Sequence, residues 1–282
     1  ALGLGEREMF IASDIQAILE YTRRIIFLES RQMAVVSADG YRVTDLDGRP
    51  AQVEVHTIAW DPVSAARGKY KHFMQKEIHE QARALTDTLR GRVDFQEGRI
   101  ILPELNLARE QARRLTRIVT VACGTSAYSG LVGKFMLEAL TRLPVEVDYG
   151  SEYRYRDPIL DDTCAVLAIT QSGETVDTLA AMEEARNKGI KSISMVNVVG
   201  SQAARLADGV IYLNAGPEIG VASTKAFVSM LVSSYLLGLY LGQERGTLSE
   251  SELDGYLQDV VELPARLPGV VHQALLRRAQ RL

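Results

Sequence analysis

Two different patterns of hydrophobic residues divide the chain. Beyond about residue 117, short apolar runs alternate with segments in which apolar positions recur at helical spacing. The runs are RIVTVA, VEVDY, CAVLAI, SISMVN and GVIYL, and the predicted helices cover about 126–142, 175–188, 201–207 and 222–242. Strands alternating with helices predict an α/β fold with a doubly wound, five-stranded parallel sheet of the flavodoxin-like type. The uninterrupted hydrophobicity of CAVLAI is typical of a central strand covered on both faces.

The first part of the chain shows shorter, β-rich runs. RIIFLE, MAVVSA, YRVTDL and AQVEVHTI follow one another between Arg24 and Ile58 and are separated by the turn sequences ADG and LDG. This pattern predicts a meander of antiparallel strands. A helix capped by Ser13 or Asp14 is predicted before it, and the polar segment WDPVSAARGK indicates a boundary near residue 65.

The segment KHFMQKEIHEQARALTDTL joins these two regions. Its apolar residues recur with a period of 3.6, which predicts a helix that lies on the following domain. The predicted buried stripe consists of Phe73, Met74, Ile78, Ala82 and Leu85. A further helix is predicted in ESELDGYLQDVVELPARL. The predicted divisions are 1–65, a linker at 66–104, the α/β domain at 105–248 and a helical segment at 249–282.

Composition excludes several classes of function. The chain has 282 residues, of which 46% are hydrophobic and 24% charged, and a net charge of −4, so a basic face for nucleic acid is not expected. The most apolar stretch, AFVSMLVSSYLLGLYLGQ, contains serines and predicts a buried helix rather than a membrane span. Two cysteines without CxxC spacing favour a reducing compartment such as the cytoplasm. The four histidines lie outside the predicted sheet, and no metal or cofactor is expected.

Two predicted strands end in turns rich in glycine and hydroxyl residues. In a doubly wound sheet, ligands bind beyond the carboxyl ends of strands, where helix N-termini attract anions. Because hydroxyl groups add neutral donors, the two turns together predict a phosphate site that needs no lysine. The candidate residues are Cys123, Gly124, Thr125 and Ser126 in the first turn and Thr170, Gln171, Ser172, Gly173 and Thr175 in the second.

Helix capping is the alternative explanation of these hydroxyl groups. Serine and threonine are preferred N-caps, and that role explains either turn taken alone. Two such turns at strand ends favour a ligand site. Nucleotide binding has little support, because no GxxxxGK[ST] motif is present and GLGERE lacks the third glycine of GxGxxG.

The loop GPEIGVASTKAF offers a third candidate. Ser223 or Thr224 is expected to cap the long helix that follows. Alternatively, the backbone at Val221 and the hydroxyl of Ser223 face the same crevice and bind sugar hydroxyls. Lys225 either attracts an anion or is solvated.

The motifs ACGTS, QSGET and EIGVASTKAF, in this order and spacing, closely resemble the first sugar isomerase (SIS) domain of the glutamine–fructose-6-phosphate aminotransferase family. The resemblance extends upstream, since FIASD and the β-rich runs resemble the end of that family's glutaminase domain and YKHFMQKEIHEQ resembles its interdomain linker. It implies a cytoplasmic, oligomeric, usually dimeric enzyme that forms glucosamine 6-phosphate and glutamate from fructose 6-phosphate and glutamine. The phosphate contacts carry over to Thr125, Ser126, Thr170, Gln171, Ser172 and Thr175, and the sugar contacts to Val221 and Ser223.

This sequence departs from the family pattern in three respects. Thr170 stands where the family commonly has serine, and it keeps the hydroxyl. The family's glutaminase nucleophile is an N-terminal cysteine, whereas this chain begins at Ala1. The family's isomerase lysine, glutamate and histidine lie in or after a second SIS domain, beyond Leu282. The resemblance therefore implies a piece that binds the sugar phosphate and lacks the catalytic groups.

Two other functions remain as alternatives. A SIS-type regulatory module that senses a phosphosugar is usually joined to a DNA-binding helix-turn-helix, which residues 24–58 do not resemble. A self-contained SIS isomerase needs a base within this domain, and none of the four histidines is well placed for that role.

Overall fold

A computed structural model describes residues 1–13, 15–58 and 67–279. The boundary predicted near residue 65 and the possible cap at Asp14 lie outside these ranges, and the predicted domain divisions stay a prediction.

The strands are β1 (Leu2–Leu4), β2 (Met9–Ile11), β3 (Arg24–Ile26), β4 (Gln32–Ser37), β5 (Gly40–Asp45), β6 (His56–Thr57), β7 (Val93–Asp94), β8 (Arg99–Ile100), β9 (Arg117–Ala122), β10 (Val145–Tyr149), β11 (Cys164–Thr170), β12 (Lys191–Val196) and β13 (Gly209–Tyr212). The helices are α1 (Phe73–Leu89), α2 (Arg109–Arg114), α3 (Gly124–Thr141), α4 (Gly150–Tyr153), α5 (Val176–Asn187), α6 (Gln202–Leu206), α7 (Lys225–Arg245) and α8 (Glu250–Ala279), with 3-10 turns at Ile15–Ala17 and Pro103–Leu105.

The five predicted strands of the second region form one parallel sheet. Their order is β10, β9, β11, β12, β13, and every neighbouring pair is parallel. Numbered along this domain, the order is 2-1-3-4-5, which is the flavodoxin-like arrangement. The predicted fold class is therefore confirmed. The single turn α4 was not predicted.

The central strand β11 shows why the sheet needs helices on both faces. All seven of its residues are buried. Side chains alternate across a strand, so Leu167 and Ile169 join the core formed with α1, α3 and α7, while Val166 and Ala168 join the core formed with α5 and α6. The two cores hold β9 and β11 between them and fix where their carboxyl ends point.

The first region has a different connectivity from the predicted meander. Its antiparallel sheet has the order β2, β1, β3, β6, and β4 and β5 form a separate hairpin. A strand has two edges, and both edges of β3 are taken by β1 and β6, so the hairpin cannot join it. Of the predicted strand AQVEVHTI, only His56–Thr57 is a strand, and the opening segment has one 3-10 turn at Ile15–Ala17 instead of a longer helix.

A close backbone contact covers the β13 side of the parallel sheet. The 3-10 turn Pro103–Leu105 lies against β13 at Gly209. A Cβ atom added to Gly209 would stand 1.9 Å from the Leu105 carbonyl oxygen. Only glycine permits this approach, so it holds the turn directly on the outer strand.

Candidate functional site

The two hydroxyl-rich turns meet where the sheet changes direction. β9 and β11 are neighbouring parallel strands, and the helices that follow them, α3 and α5, leave toward opposite faces. This topological switch point opens a crevice beyond the strand ends. A cavity of about 190 Å³ lies there, lined by Cys123, Thr125, Ser126, Ile169, Thr170, Gln171, Ser172, Thr175, Thr178, Val221 and Ser223.

The structure brings together every candidate binding residue except two. Gly124 and Gly173 do not line the cavity. Gly124 starts α3 with a left-handed φ of 56°, a conformation that favours glycine. Thr178 was missed, although its hydroxyl type in the first turn of a helix after QSGET was a usable signal. Its hydroxyl lies 3.8 Å from the Cys123 sulfur.

The hydroxyl groups after β11 are held by backbone donors. The Gly173 N–H donates to Thr170 Oγ1 at 3.2 Å, and the Glu174 N–H donates to Ser172 Oγ at 3.2 Å. A hydroxyl oxygen that accepts such a bond keeps its own hydrogen for another acceptor. The same groups can therefore shape the turn and still donate to an anion in the cavity.

Gly173 fixes the path of this turn. Its φ is 75°, and an added Cβ would lie 2.1 Å from Ser201 Oγ. The turn also rests on the next helix, because the Gln202 N–H donates to a Glu174 carboxylate oxygen at 2.9 Å. These contacts set Thr170 and Ser172 at the cavity independently of any ligand.

Both helices that begin at the cavity lack a side-chain cap. The N-cap residues of α3 and α5 are Cys123 and Thr175, and neither side chain makes a capping hydrogen bond within the described structure. The first N–H groups of each helix therefore have no side-chain partner at the positive end of the helix dipole. In the same part of the chain, the buried Gln171 Nε2 also has no hydrogen-bond partner. The site thus concentrates neutral donors and partial positive charge.

Titratable groups are scarce at the cavity. Among the described residues that line it, Cys123 is the one side chain that can ionise. His56, His72, His79 and His272 are absent from the lining. Within residues 1–13, 15–58 and 67–279, no group of three or more His, Cys, Asp or Glu side chains could hold a metal ion.

The loop between β13 and α7 supplies Val221 and Ser223. Thr224 is the N-cap residue of α7, one of the two predicted positions, but its side chain makes no capping hydrogen bond. The Glu218 carboxylate instead accepts the backbone N–H groups of Thr224 at 2.8 Å and Ala226 at 3.2 Å. Ser223 Oγ donates to the same carboxylate at 2.8 Å. Glu218 thus determines where the Ser223 hydroxyl lies.

Lys225 is neither solvated nor directed at the cavity. It is 3% exposed, and its ammonium group lies 2.7 Å from the Glu80 carboxylate of α1. The start of the loop is held as well, since Asn197 accepts the Ala215 N–H at 2.9 Å and donates to the Gly216 carbonyl at 2.7 Å. Sequence reasoning missed Asn197 and Glu218, because a buried polar anchor leaves no periodic signal.

One described helix, α7, has the length and apolar composition of a membrane span. In the structure, 67% of that apolar stretch is buried. It packs against α3 and the sheet as part of the main hydrophobic core. The burial of α7 in the core, which the sequence predicts, explains its apolar composition.

The sheet order, the cavity at its switch point and its hydroxyl lining are those of a SIS domain, and the SIS family model matches residues 113–240. Curated relatives named glutamine–fructose-6-phosphate aminotransferase (isomerizing) match far more of the chain. The relative from Symbiobacterium thermophilum is 47% identical over 93% of this chain and 43% of its own length. The chain belongs to the glutamine–fructose-6-phosphate aminotransferase family.

A second relative and a solved structure agree. A relative from Thermus thermophilus is 46% identical over 98% of this chain and 44% of its own length. The C-terminal domain of glucosamine-fructose-6-phosphate aminotransferase from Francisella tularensis has a TM-score of 0.66 and 33% identity, covering 71% of this chain and 56% of that chain. The chain spans less than half the length of these curated relatives.

Proposed function

We propose that this chain binds a hexose phosphate as part of an enzyme that forms glucosamine 6-phosphate and glutamate from fructose 6-phosphate and glutamine. The observation that carries the proposal is the meeting of two hydroxyl-rich turns and two uncapped helix N-termini around one cavity. A phosphate dianion needs several short hydrogen bonds, and neutral donors at helix N-termini supply them. The names of the curated relatives support the same substrate class.

The proposed contacts divide between the two ends of the ligand. Phosphate oxygens accept from the turn residues and the first N–H groups of α3 and α5, and sugar hydroxyls meet the Val221 backbone and Ser223. A cavity of 190 Å³ is smaller than usual ligand pockets, which span about 300–1,000 Å³. The phosphate therefore occupies the cavity and the sugar extends over its rim. The proposed donors at the phosphate are Cys123, Gly124, Thr125, Ser126, Thr170, Gln171, Ser172 and Thr175.

We propose that this chain binds fructose 6-phosphate without catalysing its conversion. Isomerisation of a ketose phosphate needs a group that moves a proton between carbon atoms. The described cavity lining holds no histidine, carboxylate or lysine for that step. We expect these 282 residues to bind fructose 6-phosphate and to form no glucosamine 6-phosphate from it by themselves.

Thermal unfolding tests the binding proposal. A ligand that binds only the folded state raises the melting temperature, so we compare fructose 6-phosphate, glucosamine 6-phosphate and inorganic phosphate at equal concentrations. We expect both hexose phosphates to raise it more than phosphate does. Equal shifts for all three would mean an anion site without sugar recognition. No shift at millimolar ligand would contradict the proposal.

The structure does not favour the regulatory alternative. In residues 1–13 and 15–58, the described elements are antiparallel strands and a 3-10 turn, not the helix pair of a helix-turn-helix. The net charge of −4 is consistent with a small-molecule partner rather than nucleic acid.

A cytoplasmic location is proposed as well. Both cysteines are free, which supports this location.

We also propose that the protein self-associates, and one exposed face of helix α3 supports this proposal. Four apolar residues of α3 recur with helical spacing and are 40–70% exposed. They are Tyr128, Leu131, Val132 and Phe135. An exposed apolar stripe of this kind is typical of an interaction surface. We propose that α3 contributes to contacts between subunits.

A further inference from the structure

A buried carboxylate of the linker helix α1 holds the loop that borders the cavity. Glu77 is 2% exposed. Its Oε1 atom accepts the backbone N–H of Ile219 at 2.7 Å and that of Gly220 at 3.0 Å, and its Oε2 atom lies 3.2 Å from the Gly220 nitrogen. These two donors immediately precede Val221.

The loop backbone passes directly over the helix at this point. A Cβ atom added to Gly220 would lie 2.4 Å from Glu77 Oε2 and 3.5 Å from the Met74 Cα. A Cβ atom at this position would therefore displace the Glu77 carboxylate from its contact with the loop, or the loop from α1. The glycine and the carboxylate therefore form one contact, and the helix determines the height of the loop above it.

A second carboxylate of α1 fastens the far end of the same loop. Glu80 lies one helical turn after Glu77 and pairs with the buried Lys225 at 2.7 Å and with Lys76 at 3.4 Å. Burying charged groups is costly unless they are paired or hydrogen-bonded, so these contacts have one defined geometry. Residues 219–225 are thus attached to α1 at both ends.

Between these attachments, the residue proposed to meet the sugar has no packing of its own. Val221 is fully exposed, and Ser223 is fixed through Glu218. The hydroxyl-rich turn after β11 is held by other contacts: the Gly173 and Glu174 N–H groups donate to Thr170 and Ser172, and the Gln202 N–H donates to Glu174. The sugar side and the phosphate side of the site therefore depend on different parts of the fold.

We infer that Glu77 is a positioning residue for sugar recognition: through Ile219 and Gly220 it holds the Val221–Ser223 rim, and it has no part in holding the phosphate. This inference rests on the proposed function for its ligand. In this inference, the linker helix α1 contributes to the preference of the site for a sugar phosphate over inorganic phosphate.

The test compares two ligands across matched variants of this chain. Calorimetry gives the affinities for fructose 6-phosphate and inorganic phosphate in the wild type, Glu77→Gln, Glu77→Ala and Asp87→Asn. Asp87 lies on the same helix and pairs with the exposed side chain of Arg90, so Asp87→Asn controls for loss of a carboxylate from α1. We expect Glu77→Ala to weaken fructose 6-phosphate about tenfold and phosphate less than twofold, because losing the acceptor of the Ile219 and Gly220 N–H groups frees the rim.

The remaining variants change the contact between Glu77 and the loop in other ways or serve as the control. Glu77→Gln keeps one acceptor oxygen but turns an amide N–H toward the loop, so an intermediate effect is expected. Gly220→Ala disturbs the same contact from the side of the loop and should reduce the preference for fructose 6-phosphate over phosphate in the same way. Asp87→Asn should behave as the wild type.

Hydrogen exchange of the loop provides a readout that needs no ligand. The amides of Ile219 and Gly220 should exchange faster in Glu77→Gln, while those of Gly173 and Glu174 should not change. If the wild type binds neither ligand, the proposed function fails, and unchanged loop exchange would also overturn the positioning role. Equal weakening of both ligands, or an unchanged ratio in all Glu77 and Gly220 variants, would overturn the inference.

Discussion

The hydroxyl of Ser172 accepts the Glu174 N–H and keeps its own hydrogen for a ligand. We expect Ser172→Ala to weaken fructose 6-phosphate binding by about 1–3 kcal/mol, the scale of a hydrogen bond to a charged group. Calorimetry measures the change, with Ser37→Ala in the exposed β4–β5 turn as the control. An unchanged affinity in Ser172→Ala would mean that the hydroxyl only shapes the turn.

Residue types predicted one half of the site better than the other. Serine, threonine and glycine at strand ends have few other uses in such number, so the residues after β9 and β11 were visible in the sequence. Glu77 and Glu218 were not, because a glutamate in a charged helix or polar loop looks solvated until the fold buries it. Their roles depend on partners that are distant along the chain.

At the scale of an element, α8 begins with two hydrogen bonds that Ser249 donates to the Glu252 carboxylate. Ser249 Oγ donates to Glu252 Oε2 at 2.7 Å, and the Ser249 N–H donates to the same carboxylate at 2.9 Å. These bonds lower the pKa of Glu252 below its ordinary value of 4.5. A carboxyl group with a lowered pKa stabilises the folded state above its unfolded pKa and loses that effect as the pH falls through the folded pKa.

The pH dependence of Glu252→Gln tests this capping pair. The variant should be less stable than the wild type at about pH 7, and the difference should be smaller at about pH 3, because the Glu252 carboxylate loses its charge as the pH falls through its lowered pKa. Urea unfolding at both pH values measures it. Glu250→Gln, in the same exposed turn, is the control for the helix dipole. A difference that is as large at about pH 3 as at about pH 7 would contradict the assignment to the Glu252 charge.

Elements of the sheet were predictable because burial on both faces leaves an unbroken apolar run. β9 matches its predicted run residue for residue. The outer strand β10 also matches its run, although it is only partly buried and carries Glu146 and Asp148. The stripe predicted for α1 was partly wrong, since Met74 is 38% exposed while Lys76 and Glu77 are buried. Backbone N–H groups from the loop and the ammonium group of Lys225 from α7 take the place of apolar contacts on that face, and periodicity cannot show such a replacement.

For the whole molecule, the α3 stripe predicts the state of association. Phe135→Asp should shift the protein toward the monomer, because an added carboxylate makes burial of this face costly. Sedimentation velocity measures the change. Phe95→Asp, at a comparably exposed phenylalanine away from α3, is the control. If both variants sediment as the wild type does, α3 does not contribute to contacts between subunits.

The turn that lies on β13 at Gly209 has a consequence for colloidal behaviour. An open strand edge is a template on which another chain can add a strand and begin to aggregate. Here the turn Pro103–Leu105 covers a face of β13 at Gly209, and the Arg92 side chain donates to the Tyr212 carbonyl of the same strand. The opposite outer strand, β10, carries Glu146 and Asp148 paired with Arg117 and Arg156. These contacts at both outer strands disfavour the addition of a strand from another copy of this chain.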